Sequence, residues 1–255
     1  MRHTASPIIR IVPIAGTATH RLLRTLAGFG LGVREHVPQT HPRIDTTILH
    51  QITAAASHGP PRIILLQGES GCGKSTHLRA AHRALAQQHV PSRLLDLGAW
   101  PRASEIQPTP TTLIDRLQGP RRDALALLSA VGLGDALLMA QSPDTLSEGQ
   151  SARLRIACAV ASLLSRRTFN RPQTDQTPRV LLIDEFASVL DRTNARTLCQ
   201  SLAKLVRRNS TRTAPSPRLS LILATAHDDV EHWLAPDLTL RLHPIWEAQD
   251  HGRAA

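Results

Sequence analysis

Tyrosine is absent from this 255-residue chain, lysine occurs twice and cysteine three times, and aromatic surface comes only from three Phe and three Trp. So few rings leave little on which the bases of a single-stranded nucleic acid could stack. Cys72, Cys158 and Cys199 show no Cys-x-x-Cys spacing, which excludes a disulfide framework or zinc site of recognisable pattern. No apolar run approaches the roughly 20 residues that span a bilayer; the longest, Ile156–Leu164, contains Ser162. The chain is therefore not expected to cross a membrane, although docking on a membrane subunit stays open. Before Glu35 there is no acid, and Arg10, Pro13 and Gly16 interrupt the apolar residues. A secretion signal is not expected, an organellar transit peptide being the alternative; the expected location is cytoplasmic.

What the chain has in excess is positive charge. Its formal net charge is +10, and of 30 basic residues only Lys74 and Lys204 are lysine. One reading is an electrostatic footprint for nucleic acid. The other is a compositional bias towards Arg, Ala, Pro and Leu, with the arginines scattered.

The pattern divides the chain into a segment 1–59, a main domain 60–245 and a tail 246–255. In the first, Ile8–Ile14 is β-rich, Arg21–Leu31 reads as a short helix, residues 36–43 as a loop, and Ile44–Ala55 as strand or helix. This segment is expected to be β-rich and packed on the core. Gly59-Pro60-Pro61 marks a break. Strands are expected at Arg62–Gln67, Ser92–Leu97, Val180–Asp184 and Leu219–Ala224, with an edge strand at Leu238–Leu242. Helices are expected at Lys74–Gln88, Gly149–Leu164 and Asn194–Arg207. Pro101–Pro110 and residues 165–179 and 208–217 read as loops. Thr111–Ala140 is helical in pattern, so a helical block at about 108–165 interrupts a mostly parallel α/β sheet.

Three segments carry chemistry. Gly68-Glu69-Ser70-Gly71-Cys72-Gly73-Lys74-Ser75 fits a phosphate-binding loop between strand and helix. Its glycines let backbone N–H groups close around phosphate oxygens, and the helix that follows offers its positive end. Cys72 fills a free position as a small residue at a tight turn. Lys74 would neutralise the β- and γ-phosphates, Ser75 would ligate Mg²⁺, and Thr76 would help on the α-phosphate. Asp184 and Glu185 end an apolar strand, placing both acids at the carboxyl edge of a parallel sheet. Asp184 would hold Mg²⁺ and Glu185 would polarise the attacking water. Between them, Leu146-Ser147-Glu148-Gly149-Gln150 opens a helix whose N-terminus suits an anion.

This order of loop, pentapeptide and acid-ended strand resembles the ATP-binding-cassette (ABC) ATPases, over about residues 60–243. The resemblance implies a P-loop NTPase of ABC type: a mostly parallel sheet flanked by helices, with an inserted helical subdomain. It implies ATP and Mg²⁺ as cofactors and hydrolysis to ADP and phosphate. It also implies a homodimer in the ATP-bound state, in which Ser147, Gly149 and Gln150 reach the partner's ATP. Ser188-Val189-Leu190-Asp191 resembles the loop that crosses that dimer interface, although Ser and Asp also cap helices. His227 resembles the switch histidine on the γ-phosphate, and Gln107 is the candidate for the family's loop glutamine. No aromatic is assigned to adenine. Glu148 stands where glycine is usual, and Phe186 where transporter cassettes carry Pro. With 184–192, 226–229 and 235–237, these features are similar to ABC-type ATPases fused to a predicted acetyltransferase domain, for which this chain is too short. The alternatives are the ATP-binding subunit of a transporter and a nucleic-acid-linked ATP switch.

Overall fold

The computed structural model describes residues 10–13, 20–29, 31–34, 44–99, 112–117, 119–165, 178–211 and 218–243. Gln107, the Pro101–Pro110 loop and the tail from 246 lie outside these residues, as do 36–43 and most of the expected loops 165–179 and 208–217. The chain forms two compact units, Met1–Arg43 and Ile44–Ala255. In the first, β1 (Arg10–Pro13) and β2 (Leu31–Arg34) pair in parallel, Arg10 opposite Leu31, and α1 (His20–Gly28) makes the crossover that a parallel pair requires.

The second unit is a five-stranded parallel sheet. Its strands are β3 (Ile63–Gln67), β4 (Ser92–Asp96), β5 (Pro178–Asp184), β6 (Arg218–Thr225) and β7 (Leu238–Arg241), in the order β4-β5-β6-β3-β7. The three central strands are buried almost throughout, as expected of parallel strands covered on both faces. On one face, Ile64, Leu66, Leu182 and Ile222 meet Ile52 and Ala56 of α2 (Thr46–Ser57) and Leu78, Ala81 and Leu85 of α3 (Lys74–Gln87). On the other, Leu65, Ile183 and Leu223 meet Ile156 and Val160 of α6 (Glu148–Leu164) and Leu198 and Leu202 of α7 (Arg192–Thr211). Arg179 is buried within β5 and donates to the Leu163 carbonyl, a cation at the negative end of α6.

Several expectations are refined. The strand-or-helix choice for Ile44–Ala55 resolves as helix, because Asp45 caps it by accepting from the N–H groups of Thr47 and Ile48 at 2.8 and 3.3 Å. Because α2 contributes to the core, the sheet-bearing unit begins at Ile44 rather than at the Gly59-Pro60-Pro61 break. The Thr111–Ala140 stretch becomes a 3₁₀ turn at Ile114–Arg116, then α4 (Arg121–Ala130) and α5 (Ala136–Met139), interrupted where Gly132 takes a φ of 77°. A short helix unread in the sequence, α8 (Asp229–Leu234), leads into β7, which lies at the sheet edge as expected. Among the described residues, no helix is long and apolar enough to cross a membrane.

Leu65 is fully buried on the central strand β3. Leu65→Ala should lower unfolding free energy by about 2–5 kcal/mol, the cost of lost transfer energy plus a cavity. Urea denaturation should show a lower midpoint at unchanged slope; an unshifted midpoint would remove Leu65 from the core.

Candidate functional site

Parallel pairing brings the carboxyl ends of β3, β5 and β6 to one edge of the sheet, with β6 between the other two. The Gly68–Ser75 loop therefore leaves the same edge as Asp184 and Glu185, with Thr225 and His227 following the strand between them.

The loop closes because three glycines permit it. A side chain at Gly68 would overlap the Leu242 carbonyl oxygen and stand 2.7 Å from Cys72 Sγ. Gly71 and Gly73 have φ of 84° and 97°, in the left-handed region, and Gly73 is the N-cap of α3. Lys74 is only 4% exposed, and its Nζ donates to the Gly68 and Glu69 carbonyls at 2.7 Å each. The loop thus wraps a buried ammonium whose charge is held by backbone dipoles. Cys72 Sγ lies 3.9 Å from the same nitrogen. Ser75 and Thr76 follow in the first turn of α3.

His77 carries no signal in the sequence, where it is one of 13 histidines. It is buried, with Nδ1 donating to the Gly73 carbonyl at 2.9 Å and Nε2 accepting from the Asp45 N–H at 3.0 Å. The ring ties the start of α2 to the turn before Lys74. No pattern in the chain could have shown this, since the two ends are 32 positions apart.

Asp184 is 3% exposed, and its Oδ1 accepts from the Glu185 N–H at 3.1 Å. Glu185 has a φ of 52° and Ala187 one of 67°, so the chain turns sharply after β5. The turn is pinned to β6: Phe186 N–H donates to the Ala224 carbonyl at 2.8 Å, and Thr225 Oγ1 donates to the Phe186 carbonyl at 2.9 Å. Phe186 is fully buried, which accounts for an aromatic at this position. Thr225 Oγ1 also accepts from the His227 N–H at 3.2 Å, linking His227 to the same turn. Gly98 makes room for Glu185, since a Cβ there would lie 3.1 Å from Glu185 Cγ. Gln67 Nε2 donates to Asp228 Oδ1 at 2.9 Å, joining the end of β3 to the residue after His227.

Ser147 is the N-cap of α6 and forms a capping box: its Oγ accepts from the Gln150 N–H at 3.3 Å, and its own N–H donates to Gln150 Oε1 at 2.9 Å. Gln150 thus has a structural task. Glu148 is exposed in the first turn, where the helix dipole favours an acid. Gly149 packs on the segment after β5; a Cβ would lie 3.3 Å from Leu190 Cδ2 and from the Val189 carbonyl oxygen. Asp191 is exposed and caps α7, accepting from the Asn194 N–H at 2.9 Å. The Asn194 backbone and side-chain hydrogen bonds hold its carboxyl below the usual range, with help from Arg153.

Arg153 organises this second group. It is 9% exposed, and it donates to the carbonyls of Gly149 at 3.2 Å and Gly132 at 3.0 Å and to Asn194 Oδ1 at 3.4 Å. Burial pulls its pKa down and the charge of Asp191 opposes that shift. The sequence hid it among many arginines on a helix with an apolar face. Among the described residues, no hydrogen bond or ion pair joins Ser147–Gln150 to the Gly68–Ser75 loop.

Among the described residues, no three His, Cys, Asp or Glu side chains converge as a metal cage. The available donors are the Ser75 hydroxyl and the Asp184 carboxylate, hard oxygens of the kind Mg²⁺ takes when substrate phosphates and water complete its shell. Burial raises the Cys158 and Cys199 thiols to about 11 and about 12, leaving them protonated and inert at neutral pH.

A family model described as "AAA ATPase domain" matches residues 44–222. No curated protein matches the chain. Among solved structures, the ATP-binding cassette MJ0796, in a dimeric post-hydrolysis state bound to ADP and Pi, is similar over 72% of this chain and 83% of that one, at 17% identity and a TM-score of 0.47. The Aeropyrum pernix ORC2 protein in its ADP form is similar over 82% of this chain and 50% of that one, at 12% identity and a TM-score of 0.36. AMPPCP-bound DnaA from Aquifex aeolicus is similar over 81% and 48% respectively, at 10% identity and a TM-score of 0.36.

Gly68→Ala tests the loop geometry. Its methyl would collide with fixed backbone at Leu242, so stability should drop by about 1–3 kcal/mol. A melting temperature equal to wild type would show that the loop does not approach Leu242 as described.

Proposed function

The chain belongs to the AAA ATPase domain family, and from that premise we propose that it binds ATP with Mg²⁺ and hydrolyses it to ADP and phosphate. The observation that carries this reading is the shared sheet edge, where Lys74 leaves β3 and Asp184 and Glu185 leave β5 on either side of β6. Phosphates entering the loop would take backbone N–H groups, the α3 dipole and the Lys74 ammonium, which exchanges its two carbonyl partners for phosphate oxygens. Gly68 through Thr76 make the cradle. Ser75 and Asp184 hold Mg²⁺, whose contribution is to neutralise charge on the transferring phosphoryl group. Glu185 orients the attacking water, and His227 faces the γ-phosphate.

The finer reading is an ABC-type ATPase. In it two copies close on two ATP molecules, and Ser147, Gly149 and Gln150 of one copy complete the site of the other, with Asp191 at the joint. A two-fold arrangement suits a surface that meets itself. The capping box and the Arg153 bonds support this reading, because they fix the start of α6 and tie it to Asn194 at the start of α7. Glu148 would then stand close to an incoming phosphate. The sequence pattern at 184–192, 226–229 and 235–237 supports a likeness to the ABC-type ATPases found fused to a predicted acetyltransferase domain.

Lys74→Ala should abolish ATP binding measured by calorimetry. Glu185→Gln should retain binding while turnover falls by about 10²–10⁴, the usual scale for a general base. Wild-type turnover in Glu185→Gln would sink the assignment of Glu185. The wild-type rate should rise with the square of protein concentration below the dimerisation constant, and a linear dependence would sink the shared site.

A further inference from the structure

Helix α7 carries five cations, Arg192, Arg196, Lys204, Arg207 and Arg208, and no acid. Leu198, Leu202 and Val206 are buried against the sheet. On the opposite side, Arg196, Gln200, Lys204 and Arg208 follow one another at steps of four and are exposed, so they line one row of the helix. The start of the helix is neutralised: Arg192 pairs with Asp229 and lies over the Trp233 ring at 4.9 Å. Arg207 donates to the Ala235 carbonyl at 2.7 Å. Among the described residues, Arg196 and Lys204 have no ion-pair or hydrogen-bond partner.

A helix face that merely keeps a protein soluble usually mixes signs, because opposite charges four residues apart support a helix and like charges oppose it. Here Lys204 and Arg208 repeat the same sign at that spacing. Cations interleaved with an amide donor, Gln200, are a set that contacts phosphodiesters. We propose that the outward face of α7 binds the phosphate backbone of duplex nucleic acid. From Arg196 to Arg208 the row is about 18 Å long at 1.5 Å per residue, enough to follow about five base pairs. A duplex fits better than a single strand, whose binding leans on aromatic platforms. The Trp233 ring is already covered by Arg192. An anionic membrane fits less well, since this row offers no large apolar side chain for insertion.

The proposal does not rest on ATP hydrolysis and is tested without nucleotide. Fluorescence anisotropy of the full chain would use a labelled DNA duplex of about 30 base pairs and a matching RNA duplex, with phosphatidylserine vesicles in parallel, across about 50–200 mM salt. The double variant Arg196→Gln/Lys204→Gln should lose about tenfold in duplex affinity, and its slope of log K against log salt should shrink by about 2. Arg83→Gln/Arg93→Gln removes the same charge from exposed sites on α3 and β4 and should keep the wild-type slope. Arg196→Lys/Lys204→Arg should restore binding, which separates charge from folding. Equal loss in the two Gln variants, no duplex binding by the wild type at about 50 mM salt, or vesicle binding alone lost with α7 would each overturn it.

Discussion

The hydrogen bonds that seat β6 between β3 and β5 are the constraint on which the candidate site depends. Strand β6 registers with both neighbours, Ile64 opposite Ile222 and Leu182 opposite the same residue. Because all three strands run parallel, their carboxyl ends are delivered together. The phosphate loop and the two acids, more than a hundred residues apart in the chain, then share one edge with Thr225 and His227 between them. Loss of this register by one residue would exchange the β6 side chains packed on α2 and α3 with those packed on α6 and α7, so the packing of the strands and the geometry of the site are enforced together.

Polar groups buried at that edge are almost all engaged in fixing backbone. Lys74 holds two loop carbonyls, His77 bridges Asp45 to Gly73, and Thr225 accepts and donates at the turn after β5. Buried donors left without partners would cost on the order of 1–3 kcal/mol each. Satisfying them through the loop backbone converts that penalty into rigidity. Arg153 does the same at the start of α6, where one guanidinium reaches Gly149, Gly132 and Asn194. Its burial is tolerated because these acceptors are carbonyl and amide oxygens and Asp191 supplies a nearby negative charge.

The positive charge of the chain acquires a location in the fold. Arg179 and Arg153 are interior residues with structural acceptors, and Arg192 is neutralised by Asp229. What remains outward on α7 is an acid-free row, so a surplus that looks scattered in one dimension is partly aligned in three.

The phosphate loop, the acid-ended strand and the alternation of strands with helices could all be read directly from residue order. Each is a local pattern: glycines where the backbone must turn, four apolar residues before Asp184, helical spacing in Leu78, Ala81 and Leu85. The helical character of residues 46–57 could not be read in the same way, because Ile, Thr and Ala suit either structure until Asp45 is seen to cap them and Ile52 to meet the sheet. Nor could His77, Arg153, Gly98 or the row on α7 be singled out, since their significance comes from partners far along the chain or from the direction a helix face points. Residue order alone marks the segments suited to phosphate and acid chemistry, because that chemistry needs particular residues within a few positions. Which buried polar groups hold those segments in place, and which charges remain outward, came from the folded arrangement. Those outcomes depend on distances through space, which residue order does not encode locally.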